Sequence, residues 1–306
     1  MAVCFIFVDG IGVGPKTEFN PLATSNLKFL SFFTGKDGLY DSCEERDNDS
    51  LLFKKIDANL DLKGLPQSGT GQTALFTGEN ASKVVGRHFG PYPHSKIKPL
   101  LKKRSLFHKV IEMGKKPHFL NAYPDLFFEK SKKRNRWSCT TLMARSAGVR
   151  LNRLEDVVEG RAVTAEIIQS AWRNKLKLDV PEIEPEEASG RMLKALDQYD
   201  LVLFEYYLTD KAGHEQDKEM ADRVLNILDQ FITEILENID KDDTLVLSSD
   251  HGNLEDLSIK THTRNPVPLF VKGNTNPFKN AESILDVTPG ILEVLKNSPF
   301  EGRAGG

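Results

Sequence analysis

The sequence predicts an α/β fold, a three-layer α/β/α sandwich around a mostly parallel central sheet with a small cap insert. Three short segments, Val3–Val8, 199–207 and 245–247, are almost continuously apolar, as expected of strands that are buried on both faces. Two further segments, 185–198 and 218–240, have helical periodicity, and the second carries one apolar stripe. Strands that alternate with helices in this way are typical of a parallel sheet covered on both sides.

The composition is that of an ordinary globular protein with enough apolar residues for a sizeable core. The chain has 306 residues, of which 39% are hydrophobic and 28% are charged, with a net charge of −3. That balance argues against a nucleic-acid partner. The three scattered cysteines, Cys4, Cys43 and Cys139, are odd in number and predict no disulfide framework. We assign residues 1–125 and 183–306 to the core and residues 126–182 to the small cap insert.

The chain begins with the apolar run VCFIFV, which is six residues long and has no basic segment before it. This run predicts a core strand, and neither a signal peptide nor a membrane span. We therefore expect a cytoplasmic protein with no membrane partner. The sequence leaves the oligomeric state open.

The first predicted strand ends at Asp9, and glycines follow at positions 10, 12 and 14. Their spacing does not fit a dinucleotide-binding loop, and no helix opens after them, since Pro15 and a polar loop follow. Two interpretations of Asp9 remain. It is a simple turn former, or it is a carboxylate that the glycines leave free to face a ligand at the carboxyl end of a strand.

A serine stands at the start of a predicted helix in LPQSGTGQTALFTGEN, residues 65–80. A hydroxyl in this position either caps the helix or acts as a nucleophile. As a nucleophile, Ser68 would benefit from the backbone N–H groups and the helix dipole, which stabilise phosphate anions. A metal ion could lower the pKa of its hydroxyl further.

Two basic segments lie in the middle of the chain. Residues 86–104 form a basic connection that contains prolines, and residues 129–137 carry five basic residues in nine. The second run predicts either a solvated surface loop or a cap that gathers an anionic substrate. The candidate substrate-binding residues of the two segments are Arg87, His88, Lys132, Lys133, Arg134 and Arg136.

The remaining elements continue the alternation of helix and strand. Residues 105–113 predict a short helix that ends at a glycine, and residues 117–123 predict a strand. In the final helix, we expect Thr288 to be the N-cap and Pro289 to take the first helical position.

Carboxylates and histidines follow the later strands at close spacing. Asp210 and His214 are four residues apart and would face the same way on a helical turn, so they could share a metal ion. Asp250 and His251 directly follow a predicted strand, and His262 precedes another. Each pair alone has a structural interpretation, such as a hydrogen-bonded strand end. Their shared position at strand ends favours metal binding.

These side chains together predict a metal centre next to the Ser68 hydroxyl. Three carboxylates and three histidines supply six ligands, which suits two divalent ions. Imidazole mixed with carboxylate favours manganese or zinc, with magnesium as a third candidate. Two neighbouring ions activate an attacking oxygen and stabilise the leaving oxygen in phosphoryl transfer.

Five motifs occur in an order that resembles the alkaline phosphatase superfamily, specifically its branch with cofactor-independent phosphoglycerate mutase and phosphopentomutase. They are FVDGIGVG, QSGTGQTALFTG, TDKAGH, SSDHGN and HTRNPVP, and the resemblance covers residues 1–80, 105–125 and 183–296. The resemblance implies one metal ion held by Asp9, Ser68, Asp250 and His251, and another held by Asp210, His214 and His262. It also implies that Ser68 is the nucleophile that becomes phosphoserine, with Thr70 as the runner-up.

The chain departs from that branch in two respects. Gln72 stands where the mutases carry a histidine, and only residues 81–104 fill the place of the large arginine-bearing domain of phosphoglycerate mutase. Residues 126–182 would serve instead as the small cap, and the substrate-reading arginines have no assignable equivalents. The resemblance therefore implies two-metal phosphoryl transfer, with hydrolysis of a small phosphorylated metabolite through phosphoserine as the expectation. The alternatives are a phosphomutase, a hydrolase of a sulfate, phosphonate or phosphodiester, and a metal-binding module without catalysis.

Overall fold

The computed structural model describes residues 1–297, and a seven-stranded sheet runs through the middle of the molecule. Nine strands are present in these residues: β1 (Val3–Val8), β2 (Arg46–Asp47), β3 (Leu51–Ile56), β4 (Pro117–Phe119), β5 (Asn121–Ala122), β6 (Val163–Thr164), β7 (Leu201–Tyr206), β8 (Thr244–Ser248) and β9 (Val267–Lys272). The order in the large sheet is β2-β3-β9-β8-β1-β7-β4, and β5 and β6 form a separate parallel pair.

A parallel block of four strands forms one half of the large sheet. In this block β1 lies between β8 and β7, and β4 pairs with the far side of β7. The pairs β8–β9, β9–β3 and β3–β2 are antiparallel, so β3 again points in the direction of the parallel block. Five of the seven strands thus run the same way, which confirms the predicted mostly parallel sheet.

Helices cover both faces of the sheet. The described residues contain α1 (Pro21–Thr24), α2 (Lys28–Thr34), α3 (Ser68–Thr77), α4 (Ala81–Val85), α5 (Lys98–Lys103), α6 (Leu106–Glu112), α7 (Asp125–Arg134), α8 (Cys139–Ser146), α9 (Leu154–Val158), α10 (Ser170–Asn174), α11 (Pro185–Leu196), α12 (Leu208–Glu215), α13 (Lys218–Asn238) and α14 (Val287–Lys296). None of them combines the length and the apolar character that a membrane crossing would need.

The two faces of β1 belong to two separate hydrophobic clusters, which explains its uninterrupted apolar sequence. Cys4, Ile6 and Val8 pack in the cluster that α2, α11 and α13 cover. The alternate residues of β1 pack in the cluster that α3, α6 and α14 cover. A strand with helices on both sides has no polar face, because successive side chains point to opposite layers. The predicted three-layer α/β/α arrangement is confirmed.

The stretch predicted as a cap insert, residues 126–182, contributes to two places. Helix α8 packs beside α3 and α5, and its Cys139 and Met143 belong to a main core cluster. Farther along, Val157, Trp172 and Val180 form a small cluster of their own with Ala122. The assignment of residues 126–182 to one cap unit stays a prediction.

Some local expectations were wrong. Helix α14 begins at Val287, so Thr288 lies inside it, and the Thr288 hydroxyl donates to the carbonyl of Leu75 at 2.7 Å instead of capping. The connection at residues 86–104 contains the helix α5. The basic run at residues 129–137 is not a loop, because most of it belongs to α7, where the basic residues of the last turn complement the helix dipole.

Candidate metal centre

The seven predicted metal-site residues lie together at the carboxyl ends of three neighbouring parallel strands. Asp9 directly follows β1, and α12, which carries Asp210 and His214, begins two residues after β7. Asp250 and His251 follow β8. The remaining two members are Ser68, which opens α3, and His262, which precedes β9. Since β7, β1 and β8 are adjacent and parallel, their carboxyl ends bring residues that are distant in sequence to one edge of the sheet.

Ser68 belongs to a first group of buried polar side chains. Its Oγ lies 3.0 Å from Nε2 of His251. The same nitrogen lies 3.3 Å from Oδ1 of Asp9 and 3.5 Å from Oδ2 of Asp250. All four side chains are buried. The geometry therefore brings together the ligand set that the resemblance implies for one ion.

Asp210, His214 and His262 form the second group. The Nε2 atoms of the two histidines are 3.1 Å apart, and Asp210 oxygens lie 3.4 Å from His214 and 3.5 Å from His262. Each Nδ1 faces a backbone carbonyl, that of Lys260 for His214 at 2.8 Å and that of Pro66 for His262 at 2.7 Å. An Nδ1–H that donates to a carbonyl leaves Nε2 with a lone pair for a metal.

Two nitrogen lone pairs that face each other at this distance need a positive charge between them. The hydrogen bond to Asp210 raises the pKa of His214 to about 9, so without an ion a proton fills this role. A divalent ion would replace the proton and bind both nitrogens and the carboxylate.

The two groups are continuous. The rings of His251 and His262 stack with their centroids 3.8 Å apart. Asp9, Asp250 and His251 each offer a ligand atom within 4.8 Å of the others, and Asp210, His251 and His262 do the same. His251 therefore lies between both sets, and the spacing suits two neighbouring ions.

Buried oxygens without hydrogen bonds support the fit of cations to this centre. Within the described residues, no hydrogen bond of normal length and angle reaches either carboxylate oxygen of Asp250 or Oδ1 of Asp9. A buried carboxylate that lacks both donors and a counterion is costly. Oxygens of this kind, beside imidazole nitrogens, are the donor set of a divalent metal site.

The carboxylates also repel one another. Burial, followed by the charges of Asp250 and Asp210, raises the pKa of Asp9 well above its usual range. Burial and then the Asp210 charge raise the pKa of Asp250 in the same way. Burial acts in that direction on Asp210 too, but hydrogen bonds from its two histidines outweigh it and hold its pKa low. Bound cations would relieve this repulsion.

Burial, followed by the charge of His262, lowers the pKa of His251 to about 3. His251 is therefore neutral at ordinary pH. A neutral imidazole keeps the lone pair that a metal ion requires.

The alternating glycines after β1 have a steric explanation that the sequence did not reveal. Gly10 has a positive φ of 73°, and a Cβ on it would meet Asp210 at 2.8 Å. A Cβ on Gly12 would collide with the carboxylate of Glu255. Glu255 accepts from the backbone N–H groups of Gly12 at 2.9 Å and Asn253 at 2.7 Å, and from the hydroxyl of Thr263. Glu255 was not predicted from the sequence, although it lies two residues after SSDHGN.

Other polar neighbours of the centre were also missed. Gln72, noted only as a departure from the mutases, donates from Nε2 to Oδ2 of Asp9 at 2.9 Å. Asn253 donates to Oδ1 of Asp210 at 2.7 Å. Glu205 lies buried at the end of β7, where Thr140 donates to it at 2.7 Å, and burial raises its pKa to about 7. Gln72 and Asn253 each orient a predicted metal ligand.

A cleft of about 570 Å³ opens over Ser68 and Asp9. Its two basic lining residues are Lys175 and Lys211. The six predicted substrate-binding residues do not line it. The guanidinium of Arg136 lies 4.9 Å from the ring centre of the lining residue Tyr92. Arg87 packs on Phe89, His88 bonds to Ser82, and Lys132, Lys133 and Arg134 occupy the exposed last turn of α7.

Sequence relatives of this chain include phosphoglycerate mutases. It is 28% identical to the 2,3-bisphosphoglycerate-independent phosphoglycerate mutase of Clostridium botulinum over a matched region of 126 residues. This region covers 38% of this chain and 25% of that protein. It is 33% identical over 137 residues to the enzyme of the same name from Ehrlichia ruminantium, which covers 41% of this chain and 27% of that protein. The matched regions thus span about a quarter of each mutase.

Solved structures share the fold at low sequence identity. The PH0037 protein from Pyrococcus horikoshii has a TM-score of 0.59 and 14% identity, with 98% of each chain covered. The alkaline phosphatase of the Antarctic bacterium TAB5 has a TM-score of 0.54 and 13% identity, covering 96% of this chain and 97% of that one. The Leishmania mexicana phosphoglycerate mutase has a TM-score of 0.50 and 12% identity, covering 96% and 95%.

The sequence model described as the metalloenzyme superfamily matches residues 1–299. That range includes all five motifs and both groups of candidate ligands. The chain therefore belongs to the metalloenzyme superfamily, with phosphoglycerate mutases among its sequence relatives and alkaline phosphatase among its structural neighbours.

Proposed function

We propose that this protein is a two-metal-dependent phosphoryl-transfer enzyme that hydrolyses a small phosphate ester through a phosphoserine at Ser68. One observation carries the proposal. The Ser68 hydroxyl opens helix α3, lies 3.0 Å from His251 Nε2 beside buried carboxylates, and lines a cleft large enough for a small molecule.

The two groups of side chains have separate tasks in this proposal. Asp9, Asp250 and His251, with Ser68, would hold one ion, and Asp210, His214 and His262 would hold the other. Manganese and zinc fit this mixture of ligands best, with magnesium as a third candidate. When bound, the ions supply charge that lowers the pKa of the Ser68 hydroxyl and neutralises the phosphoryl oxygens.

Ser68 forms and breaks the covalent bonds. Its Oγ gives up its proton and attacks phosphorus, the bond from phosphorus to the ester oxygen breaks, and the alcohol leaves with a proton. Water then attacks the phosphoserine, releases inorganic phosphate and restores the serine hydroxyl. The positive end of the α3 dipole favours the negative phosphoryl group in both steps.

The surroundings of Thr70 favour Ser68 as the nucleophile. The Thr70 hydroxyl donates to the carbonyl of Gln67 at 3.1 Å and accepts from the N–H of Phe89 at 3.1 Å. Its side chain is fully buried and does not line the cleft. A hydroxyl committed to two backbone groups is a structural one.

Hydrolysis is proposed over phosphomutase activity because the chain lacks a counterpart to the mutase's large inserted domain. A mutase must hold its substrate while the phosphoryl group returns to a second hydroxyl. The second candidate function is nevertheless a phosphomutase, since the sequence relatives carry that name. A cytoplasmic location and a small phosphorylated metabolite as substrate stay predictions.

The test uses the full chain reconstituted with manganese or zinc. Ser68→Ala should abolish turnover of a simple phosphate monoester, a loss of several orders of magnitude in kcat, while the fold and most of the bound metal remain. Acid-quenched wild-type enzyme should carry a phosphoryl group on Ser68 by mass spectrometry. In water enriched in oxygen-18, the released phosphate should acquire the label.

Thr70→Ala serves as the matched control, and it should lose about 1 kcal/mol of stability but keep turnover. Full activity in Ser68→Ala, with none in Thr70→Ala, would reverse the roles of the two hydroxyls. Transfer to an added alcohol without label in the phosphate would identify a mutase or transferase. Metal binding without any turnover would leave a metal-binding module.

A further inference from the structure

The walls of the cleft over Ser68 are largely aromatic and apolar. Five aromatic side chains line it, and Leu176 adds an aliphatic one. The rings are those of Tyr92, Tyr123, Phe127, Trp172 and Tyr207. Tyr123 and Phe127 stack with their centroids 4.2 Å apart and form a continuous wall.

Several of these large side chains are exposed to solvent. The exposed fractions are 39% for Tyr92, 38% for Leu176 and 47% for Tyr207. Three large apolar side chains that are exposed in one concave place mark a surface that a ligand covers.

The cleft has few basic side chains for an anionic group of a substrate. Its two basic residues are Lys175 and Lys211, and Lys211 lies 3.6 Å from Glu215 of its own helix. Asp9, Asp210 and Glu205 line the same cleft, and the first two are candidate metal ligands. No arginine is among the described lining residues, so the cleft lacks the bidentate donors that recognise a second carboxylate or phosphate.

The position of Ser68 fixes which part of a substrate meets these walls. The phosphorus must lie at Ser68 Oγ, so the organic group of the ester extends into the cleft. Resting on the function proposed above, we infer that the substrate is a phosphate monoester whose organic group is aromatic and lacks a second anionic group. The stacked Tyr123–Phe127 wall and Trp172 supply flat surfaces for such a ring.

Two alkyl esters whose leaving alcohols have similar acidity test this inference. In 2-phenylethyl phosphate and propyl phosphate the phosphate is attached to alcohols of similar acidity, but only the first carries a ring. The metal-loaded enzyme should have a kcat/KM at least about 10-fold higher for the phenylethyl ester. It should disfavour 3-phosphoglycerate, which carries a carboxylate.

Variants locate the preference in the cleft. Trp172→Ala should reduce the preference for the phenylethyl ester, chiefly through KM. Trp172 is buried, so Leu176→Ala provides a second variant at an exposed position with less risk to folding. Phe32→Ala removes an exposed ring of α2, outside the cleft, and should leave the preference unchanged.

Binding is measured separately from turnover. The non-hydrolysable 2-phenylethylphosphonate should bind the metal-loaded protein about 10-fold or more tightly than propylphosphonate, by calorimetric titration. Absence of turnover with this binding difference intact would refute the catalytic proposal and support the aromatic cleft. Equal binding and equal kcat/KM for the ring-bearing and ring-free compounds would overturn the inference, and so would a preference for 3-phosphoglycerate.

Discussion

Glu205 is a buried acidic residue within a strand whose other residues are mostly apolar. It lies in an apolar strand segment that predicted only burial, and its carboxylate ends beside the metal centre. The side chain of Asn121 binds the backbone of Glu205 through two hydrogen bonds of 2.8 Å. Its Oδ1 accepts from the N–H of Glu205, and its Nδ2 donates to the carbonyl of Glu205. The side chain of Glu205 is therefore fixed in a buried place, and burial raises its pKa from the ordinary value of 4.5 to about 7.

This shift predicts a pH-dependent stability for the metal-free protein. Because the pKa of Glu205 is higher in the folded than in the unfolded state, the contribution of Glu205 to stability is greatest below about pH 4.5 and is lost as pH rises through about 7. Glu205→Gln should remove this dependence, and at pH 8 it should be more stable than the wild type by up to about 3 kcal/mol. Denaturant unfolding with chelator at pH 5 and pH 8 measures the difference. An equal effect of the substitution at both pH values would contradict the explanation.

The structure brings the seven predicted metal-site residues together, and each of these residues is tied to a local signal in the sequence. Asp9, Asp210 and Asp250 each follow a short apolar run, and parallel strands bring such positions together. Substrate contacts carry no such signal. Lys132 and its basic neighbours were predicted to bind substrate because they form a basic run. The lysines that line the cleft are instead Lys175 and Lys211. Which lysine faces a cleft depends on how distant helices pack, and this is not encoded by a local pattern.

Helix α3 shows how close packing determines the composition of an element. It contains two glycines in its first turn, although glycine is a poor helix former. A Cβ on Gly69 would approach the carbonyl oxygen of Phe89 at 2.6 Å and that of Tyr92 still more closely. A Cβ on Gly71 would meet the carbonyl oxygen of Asp250 at 2.8 Å. The glycines therefore let α3 bring Ser68 against the backbone that surrounds the centre.

A pair of glycine-to-alanine substitutions tests this packing. Gly190 lies exposed in α11 with no atom within 4 Å of an added Cβ, so Gly190→Ala should follow helix propensity and stabilise by up to about 1 kcal/mol. Gly69→Ala should instead destabilise by about 1–3 kcal/mol, because rigid backbone must move. It should also lower kcat, since Ser68 is adjacent. Thermal unfolding of both variants checks the opposite signs, and a stabilising Gly69→Ala would contradict the steric account.

Elements were predictable where one segment carries its own signal. The apolar run of β1 and the apolar stripe of α13 are each sufficient to predict the element. In the structure both elements lie close to their predicted bounds. The predicted start of α14 was wrong because threonine is a common capping residue, whereas the N-cap of α14 is Asp286, which ends the 3₁₀ turn Ile284–Asp286 that Ser283 caps. The Thr288 hydroxyl bonds to Leu75, a partner 213 residues away. Such a tertiary contact overrides local capping preference.

At the scale of the whole molecule, the metal centre joins segments from both ends of the chain. Its candidate ligands extend from Asp9 to His262 and come from the loops after β1 and β8, from the helices α3 and α12, and from the loop before β9. The buried carboxylates repel each other without cations, as the raised pKa values of Asp9 and Asp250 indicate. Ions that bind only the folded state would therefore stabilise the entire fold and not one loop.

Metal content and the stability of the fold should therefore change together. Wild-type protein reconstituted with manganese or zinc should retain about two ions per chain by elemental analysis. Each site should add about 2.7 kcal/mol of stability when the free metal is 100-fold above its dissociation constant. Asp250→Asn should lower the metal content and the stability gained from metal, because it removes an anionic ligand.

The same substitution should have the opposite effect on the metal-free protein. Since the pKa of Asp250 is raised in the folded state, its ionisation costs stability as pH rises, and asparagine removes that cost. In thermal unfolding at pH 7, Asp250→Asn should thus be more stable than the wild type with chelator and less stable than the wild type with metal. The exposed control Asp242→Asn should match the wild type in both conditions. Equal metal content and equal metal-dependent gains in the two proteins would remove Asp250 from the ligand set.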